Sequence, residues 1–584
     1  MIPPQSTVRR MPGLRPRHSA RLIFSHRPPL SRPRQFTHKP QQQSFVSQTP
    51  FRPQLPFLSQ AKGRLPLAIH LRQHFIRLVS TDRREQYKRG LFRGLKIALT
   101  SYAIIFMLYL IDTGIYQEEI EHRWPTPPEW SWKSRWALRT AIALQHPNEA
   151  GQVVTQWHNV YAYVRELLER LEDPNIDGKD IQELADGGIF IDGVGRAGFD
   201  LSGKSEPWRR GYFQALMSAA KAAENLEGFM TDSKQRVTAK ADYVHGPSNP
   251  NAKTLPGRTK TVMHEEDCVP AAPPAETFYI KILTTTGFTA KQKIDAALAY
   301  ADYLDSKGLS DTARDMYTWA MDIAASGLSY DPSRVVDTAT GVLKNSGKDI
   351  ASDNLLRVST ALAVHNAKIG DLSTALAIFT SVLKARRSLP GSAPPKPSQS
   401  NTERGNLPFD NFVQKIKNMF VPPVYPAAPS DGNTPPVREL GSPCEEAGLM
   451  TYIGEILYAT SSREIGLAWT RDAVDIAESE LLEIARQTET LDTRDRCSQC
   501  LKVGIQNWRT MVHNLVTSAA AAEEEAIAQS AKAWFGGASE AAKKTSERKR
   551  WEAEEMIIDD RSDRMLRLTN DYNVYKSRGI GGLF

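Results

Sequence analysis

The stretch over residues 95–114 constrains the fold more than any other part of this 584-residue chain. Its central residues 97–111 carry no charged side chain, and Lys96 and Asp112 stand at its two edges. About 20 residues are needed to cross the hydrocarbon core of a bilayer, and Lys96 can extend its ammonium group toward the headgroups. The stretch therefore predicts a transmembrane helix over 95–114. A buried core helix is the alternative, because the uncharged run by itself is short.

The segment that precedes this stretch has an unusual charge composition. Residues 1–81 contain 12 Arg and 2 Lys but no Asp or Glu, and they are rich in Ser, Gln and Pro. Such a composition is typical of a mitochondrial presequence, since positive charge is drawn across an energised inner membrane. We therefore predict a presequence over 1–81, with a disordered basic leader as the alternative.

The net charge of +8 is carried by the leader and not by the rest of the chain. Once residues 1–81 are set aside, 60 basic and 66 acidic side chains remain, a net charge of −6. A protein that binds nucleic acid needs a basic surplus to neutralise phosphates. The charge balance therefore excludes nucleic acid as a partner of the body.

The charges beside the predicted span set its orientation. The flank over 82–94 is basic, whereas the residues after the span open with acidic side chains. The positive-inside rule then predicts a single-pass protein of the mitochondrial inner membrane, with its N-terminus in the matrix and its C-terminal body in the intermembrane space. Four tryptophans follow and are expected to form an aromatic belt at the lipid bilayer, with packing in the first helix of the body as the alternative for Trp136: Trp124, Trp130, Trp132 and Trp136.

The remaining chain predicts helices almost throughout, because apolar residues recur at steps of three and four. We expect an all-α body interrupted by two Pro-rich stretches. The second stretch contains an amphipathic helix over 409–420, expected to dock on the membrane, on a partner or on the body itself. The predicted segments are a helical region (115–243), a loop (244–277), repeats (278–386), a Pro-rich insertion (387–441), further repeat helices (442–522) and a helical, partly disordered tail (523–584).

Two helix pairs carry a tetratricopeptide-like pattern. In each, a small residue in the first helix precedes a turn glycine, and an alanine and then an aromatic residue follow in the second helix. Small residues let the two helices approach, and the aromatic side chain fills the gap to the next pair. The residues are Ala301, Gly308, Ala313, Tyr317 and Ala320 in the first pair, and Ala363, Gly370, Ala375 and Phe379 in the second.

A third and weaker copy of the pattern is centred on Gly454, with Gly466 and Ala473 in its second helix. The first two copies are 62 residues apart, which is not a multiple of the 34-residue period of such repeats. The pattern predicts a tetratricopeptide-like helical solenoid that follows the transmembrane helix. A plain helical bundle is the alternative architecture.

The chain offers little that could catalyse a reaction. It lacks the motifs of zinc proteases, P-loop nucleotide-binding proteins and serine hydrolases, so we expect no catalytic residue, no cofactor and no metal site. A single CxxC, Cys497 with Cys500, lacks the two further ligands that a zinc site needs. We expect a disulfide between Cys497 and Cys500 or two packing residues, while a thiol oxidoreductase is a third hypothesis.

The order of these features resembles one family. A presequence, one N-terminal span, the block WPTPPEWSWKSRWALR (124–139) and divergent repeats are similar to the fungal tetratricopeptide-repeat adaptor subunit of the mitochondrial i-AAA protease complex. The segment over 205–230 also resembles fungal members. The likeness covers most of residues 90–520 in architecture.

The resemblance implies a non-enzymatic role. It implies that the chain binds misfolded or unassembled membrane proteins and presents them to the i-AAA protease, together with fellow adaptor subunits. An assembly factor of another inner-membrane complex would have the same architecture. Sequence alone does not separate these two hypotheses.

Overall fold

The computed structural model describes a defined part of the chain. The predicted presequence and the amphipathic helix over 409–420 lie outside the described residues. The chain divides into two compact units, Met1–Thr100 and Ser101–Phe584. The described residues are 81–146, 154–183, 190–191, 195–196, 198–255, 262–344, 350–391, 423–486, 491–530 and 537–581.

The described residues form 13 helices and a few short strands, so the chain is mostly helical, as the sequence predicts. The helices are α1 (Thr81–Arg123), α2 (Trp132–Gln145), α3 (Trp157–Glu172), α4 (Glu206–Asn225), α5 (Ala275–Thr284), α6 (Ala290–Ser306), α7 (Ser310–Ser326), α8 (Asp353–Ile369), α9 (Leu372–Arg387), α10 (Ser442–Thr460), α11 (Arg463–Arg486), α12 (Leu491–Ser530) and α13 (Gly537–Gly581).

Helix α1 is the one helix among the described residues that is long and apolar enough to cross a membrane. Its apolar side chains between Leu95 and Ile111 are all exposed, from 47% at Leu110 to 69% at Tyr102. A core helix would bury one face or all of its surface. The alternative of a buried core helix is therefore wrong, and the exposed apolar surface is compatible with a single-pass membrane protein.

Helices α2 to α13 pack in chain order, each against the next. Alternate helices also touch: α2 with α4, α4 with α6, α6 with α8, and α10 with α12. The pair α6 and α8 runs parallel, because Asp295 and Asp302 form ion pairs with Arg357 and Lys368 in the same order. These contacts join most buried apolar residues from Trp130 to Met565 into one core.

Local sequence signals explain where several helices begin. Ser205, Ser352 and Asp371 lie just before α4, α8 and α9, and each side chain accepts a hydrogen bond from a backbone N–H of the first turn. Thr289 and Gln292 form a reciprocal capping box at the start of α6. Such caps satisfy donors that a helix leaves unpaired, so these boundaries are encoded locally.

Short strands lie within the region predicted as helix and loop. The three-stranded antiparallel sheet has the order β6 (Val237–Lys240), β5 (Phe229–Asp232), β9 (Cys268–Pro270), with Met230 opposite Ala239 and Asp232 opposite Cys268. The other pairs are β1 (Gln182–Glu183) with β4 (Phe199–Asp200), β2 (Phe190–Ile191) with β3 (Gly195–Arg196), and β7 (Val244–His245) parallel to β8 (Met263–His264). The loop predicted over 244–277 thus contains three strands and the start of α5. Strands of two to four residues are too short to show an alternating pattern.

The described end of the Pro-rich insertion docks on the helical body. The Arg210 guanidinium donates to the backbone carbonyls of Pro426 and Ala427 and stacks on the Tyr425 ring. Asp431 accepts a hydrogen bond from the backbone N–H of Lys291 in the first turn of α6. Residues 425–431 therefore pack against α4 and α6 and are not a free linker.

Candidate functional site

The predicted repeat residues of α6 and α7 lie at the interface between the two helices. Ala301, Ala313 and Ala320 are fully buried, and Tyr317 is nearly so. Gly308 has a φ of 77°, which side chains rarely adopt, so it ends α6 where only glycine fits easily. These residues are therefore buried packing residues of the helix pair α6–α7.

The repeat residues of α8 and α9 are arranged in the same way. Ala363, Ala375 and Phe379 are fully buried, and Gly370 follows α8 with a φ of 91°. The Phe379 ring stacks on Tyr452 of α10 at a centroid distance of 5.1 Å. The aromatic residue of this pair therefore contacts the next helix pair.

Tyr317 makes the corresponding contact between the first two pairs. Its ring lies 4.9 Å from the His365 ring of α8, and its hydroxyl donates to Asp305 of α6 over 3.1 Å. His365 Nδ1 lies 2.9 Å from the same carboxylate, and the His365 side chain is completely buried. Burial and the neighbouring Asp305 raise the pKa of the Tyr317 hydroxyl, so it stays protonated as a donor. His365 is thus a packing residue of the joint between two helix pairs.

The third helix pair approaches even more closely. A Cβ atom on Gly454 of α10 would lie 2.5 Å from Thr470 Oγ1 and 2.9 Å from the Gly466 carbonyl oxygen of α11. A Cβ atom on Gly466 would meet the Gly454 carbonyl oxygen at 2.5 Å. Both glycines are therefore required by the close crossing of α10 and α11, and Ala473 is buried beside them.

A cavity of about 700 Å³ lies among α2, α4 and α6. We call it the α2–α4–α6 cavity. Its wall combines apolar side chains with charged groups of both signs, and no sequence pattern pointed to it. The residues that define it include Gln145, Lys221, Glu224, Asn225, Tyr279 and Lys307.

Two hydrogen-bonded groups give this cavity its electrostatic character. The Tyr279 hydroxyl donates a hydrogen bond to Glu224 over 2.7 Å. Burial raises the pKa of the Glu224 carboxyl, and this effect is larger than the opposing effect of the hydrogen bond. The Lys307 ammonium pairs with Glu227 at 2.6 Å, and the Tyr303 hydroxyl donates to the same carboxylate. Burial acts to lower the pKa of Lys307, but its hydrogen bonds to Glu227 and Tyr303 outweigh burial and raise the pKa.

The cysteines pair differently from the prediction. Cys497 forms a disulfide with Cys444 of α10, with a Cα–Cα distance of 5.3 Å, and Cys500 is a free thiol. The predicted bond between Cys497 and Cys500 is therefore wrong. Both residues lie inside the unbroken helix α12. Cβ atoms three residues apart on a helix are about 5–6 Å apart, whereas a disulfide needs a Cβ–Cβ distance of about 3.8 Å. The Cys500 thiol instead donates to the Cys444 carbonyl oxygen, and burial raises its pKa to about 11.

We expect Cys497→Ser to lower the free energy of unfolding by about 3–4 kcal/mol, because the disulfide closes a long loop of the unfolded chain. Cys500→Ser is the matched control on the same helix; it keeps the disulfide, and its expected cost is below about 1 kcal/mol. Denaturant unfolding of the oxidised protein in detergent measures both. Equal losses, or a Cys497–Cys500 link in peptide maps of the non-reduced protein, would contradict this pairing.

A buried ionic cluster at the end of α1 was not predicted. Glu121 is 3% exposed and accepts hydrogen bonds from Arg135 and Arg139 of α2 at 2.8 and 2.9 Å. It also accepts from the backbone N–H of Thr126, the only such donor in the Pro-Thr-Pro turn. A signal was present in the sequence, since two arginines four residues apart on one helix face an acidic residue across a short turn.

The tryptophans after α1 serve mainly as packing residues. Trp130 is 3% exposed and meets the Trp208 ring of α4 edge-on at 6.4 Å. A Cβ atom on Gly211 of α4 would lie 2.5 Å from the Pro127 ring. Trp132 is 72% exposed, so of the four tryptophans it is the one whose ring faces solvent most fully. The two sequence blocks that carry the family resemblance thus pack against each other.

Comparison with known proteins adds no relative: no protein-family model matches the chain, and no curated protein does either.

Proposed function

We propose that this chain is a non-enzymatic adaptor of the mitochondrial inner membrane, anchored by α1. Its helix pairs form a tetratricopeptide-like array that binds misfolded or unassembled membrane proteins. It presents them to the i-AAA protease. The chain and fellow adaptor subunits are bound to this protease in one complex. The observation that carries this proposal is the contact pattern of α2 to α13, in which consecutive and alternate helices touch and aromatic residues bridge successive pairs.

Arrays built in this way bind extended segments along the surface formed by alternate helices. The α2–α4–α6 cavity lies on such a surface, since Gln145, Glu224 and Ser306 come from three alternate helices. A protein held there beside a membrane protease has a raised local concentration, so weak contacts suffice for delivery. Binding and tethering then account for the function without any chemical step.

The cysteine geometry supports this proposal over a CxxC thiol oxidoreductase. Such an enzyme needs a thiolate of lowered pKa, whereas burial raises the pKa of Cys500 and Cys497 is already paired with Cys444. A structural disulfide also favours a body outside the reducing matrix. The intermembrane-space orientation of the body is part of the proposal for this reason.

Affinity purification of the tagged chain from detergent-solubilised mitochondria tests the function. We expect protease subunits and unassembled membrane proteins in the eluate, and neither in a mock purification from untagged mitochondria. Recovery of a different inner-membrane complex without the protease would contradict the proposal and favour an assembly factor.

A topology experiment tests the anchor. In mitochondria whose outer membrane has been ruptured, added protease should digest the C-terminal body, because the basic residues over 82–94 at the start of α1 hold the N-terminus in the matrix. Carbonate extraction should leave the chain in the membrane pellet. A body that stays protected after rupture, or a chain released by carbonate, would refute the proposed anchor and its orientation.

A further inference from the structure

The α2–α4–α6 cavity lies where three helices end. Gln145, Asn225 and Ser306 are the last residues of α2, α4 and α6, and all three line the cavity. The last turn of a helix carries unpaired carbonyl groups and a partial negative charge. Three such ends around one space create a potential that favours a positively charged guest.

The formal charges of the wall point the same way. Three carboxylates and two ammonium groups line the cavity, a net charge of −1: Glu224, Glu227, Asp302, Lys221 and Lys307. The Lys307 ammonium is held by Glu227, and the Lys221 ammonium lies over the Trp157 ring at 5.9 Å. The two cations of the wall thus have partners of their own.

Glu224 is the carboxylate of the wall that no cation contacts at ion-pair distance, whereas Glu227 pairs with Lys307 and Asp302 with Lys368. Among the described residues it takes part in no ion pair, and its hydrogen bond comes from the neutral hydroxyl of Tyr279. Burial raises the pKa of the Glu224 carboxyl by more than the hydrogen bond from Tyr279 and the nearby charge of Lys221 lower it. Tyr279 is almost completely buried, so it holds this carboxylate in a fixed position.

We propose that the α2–α4–α6 cavity receives a lysine or arginine side chain from an extended segment of the bound protein, with the Glu224 carboxylate as its counter-charge. This inference rests on the proposed function and names the chemistry of its binding site. A volume of about 700 Å³ accommodates the side chain with its flanking backbone. An acidic side chain there would face three helix C-termini and the unpaired carboxylate.

Peptide binding to the full-length protein in detergent tests the inference. The probes are three fluorescein-labelled peptides of Ser, Gly and Ala that differ only in a central Lys, Gln or Glu. We expect the Lys peptide to bind about tenfold more tightly than the Gln peptide, the ratio expected for one charge-assisted hydrogen bond. The Glu peptide should bind most weakly.

Glu224→Gln keeps an acceptor for Tyr279 but removes the charge, so it should abolish the preference for the Lys peptide over the Gln peptide. Asp302→Asn is a second variant in the wall and should weaken the preference. Glu169→Gln on α3 is the matched control, because Glu169 is exposed, does not line the cavity and should keep the full preference.

Any of three results overturns the inference. The three peptides bind with equal affinity, none of them binds, or Glu224→Gln keeps the full preference for the Lys peptide. These outcomes are separate from failure of the proposed function. A chain that recovers the protease and its clients but shows no preference for Lys refutes the cationic guest alone. A chain that prefers the Lys peptide but recovers no protease refutes the adaptor role alone.

Discussion

Ala375→Trp is expected to lower the recovery of client proteins sharply while leaving membrane insertion unchanged. Ala375 is completely buried between α8 and α9, so an indole ring forces the two helices apart. Overpacking of this kind costs about 1–3 kcal/mol, and in an array the damage is felt mainly by adjoining pairs. Ala313→Trp in α7 should act in the same way.

Ala377→Trp is the matched control for this variant, because Ala377 lies on the same helix and is exposed. Hydrogen exchange should show faster exchange in α8, α9 and the neighbouring α10 of Ala375→Trp, and unchanged exchange in the control. Affinity purification then compares the two variants with the unmodified chain. If Ala375→Trp recovers every partner at full yield, the repeat packing does not support the binding surface.

Glu121→Ala is expected to give the largest loss of stability, about 3–5 kcal/mol, because it leaves a buried charge without its partner. Arg139 is 5% exposed and its guanidinium contacts the Glu121 carboxylate, as does that of Arg135. The end of α1 should therefore detach from α2. Limited proteolysis of the full chain in detergent should cut after residue 123 much faster than in the unmodified protein.

Glu119→Ala is the control, since Glu119 lies on the same helix and pairs with Arg123 in an exposed contact. An exposed pair within one helix contributes only about 0.3–0.5 kcal/mol, so its cleavage rate should hardly change. Similar cleavage of both variants would mean that the Glu121 cluster does not hold α1 and α2 together.

Helical periodicity carried most of the fold prediction. Within the repeats predicted over 278–386, apolar residues recur at helical steps over 355–368 and 372–386, and α8 and α9 differ from these ranges by at most two residues at either end. Their apolar residues recur with the helical period, and Ser352, Asp371 and Gly370 mark the ends. The exposed apolar surface of α1 also agrees with the prediction of a span, while its organelle and orientation remain proposals.

Contacts between segments that are distant in the sequence could not be predicted from the sequence. The partner of Cys497 is 53 residues away, and only the packing of α10 against α12 brings the two together. The α2–α4–α6 cavity depends likewise on three helices that are separate in sequence. The sheet around β5 could not be predicted for a different reason: each of its strands spans four residues or fewer, which is too short to show an alternating pattern of apolar and polar residues.

Site-specific photo-crosslinking in intact mitochondria tests most directly whether the α2–α4–α6 cavity binds client proteins. A photoreactive residue at Asn225 stands in the cavity wall, and one at Gln214 stands on the exposed surface of the same helix outside it. We expect adducts with unassembled membrane proteins from position 225 and none from position 214. Adducts of equal yield from both positions, or from position 214 alone, would contradict the account.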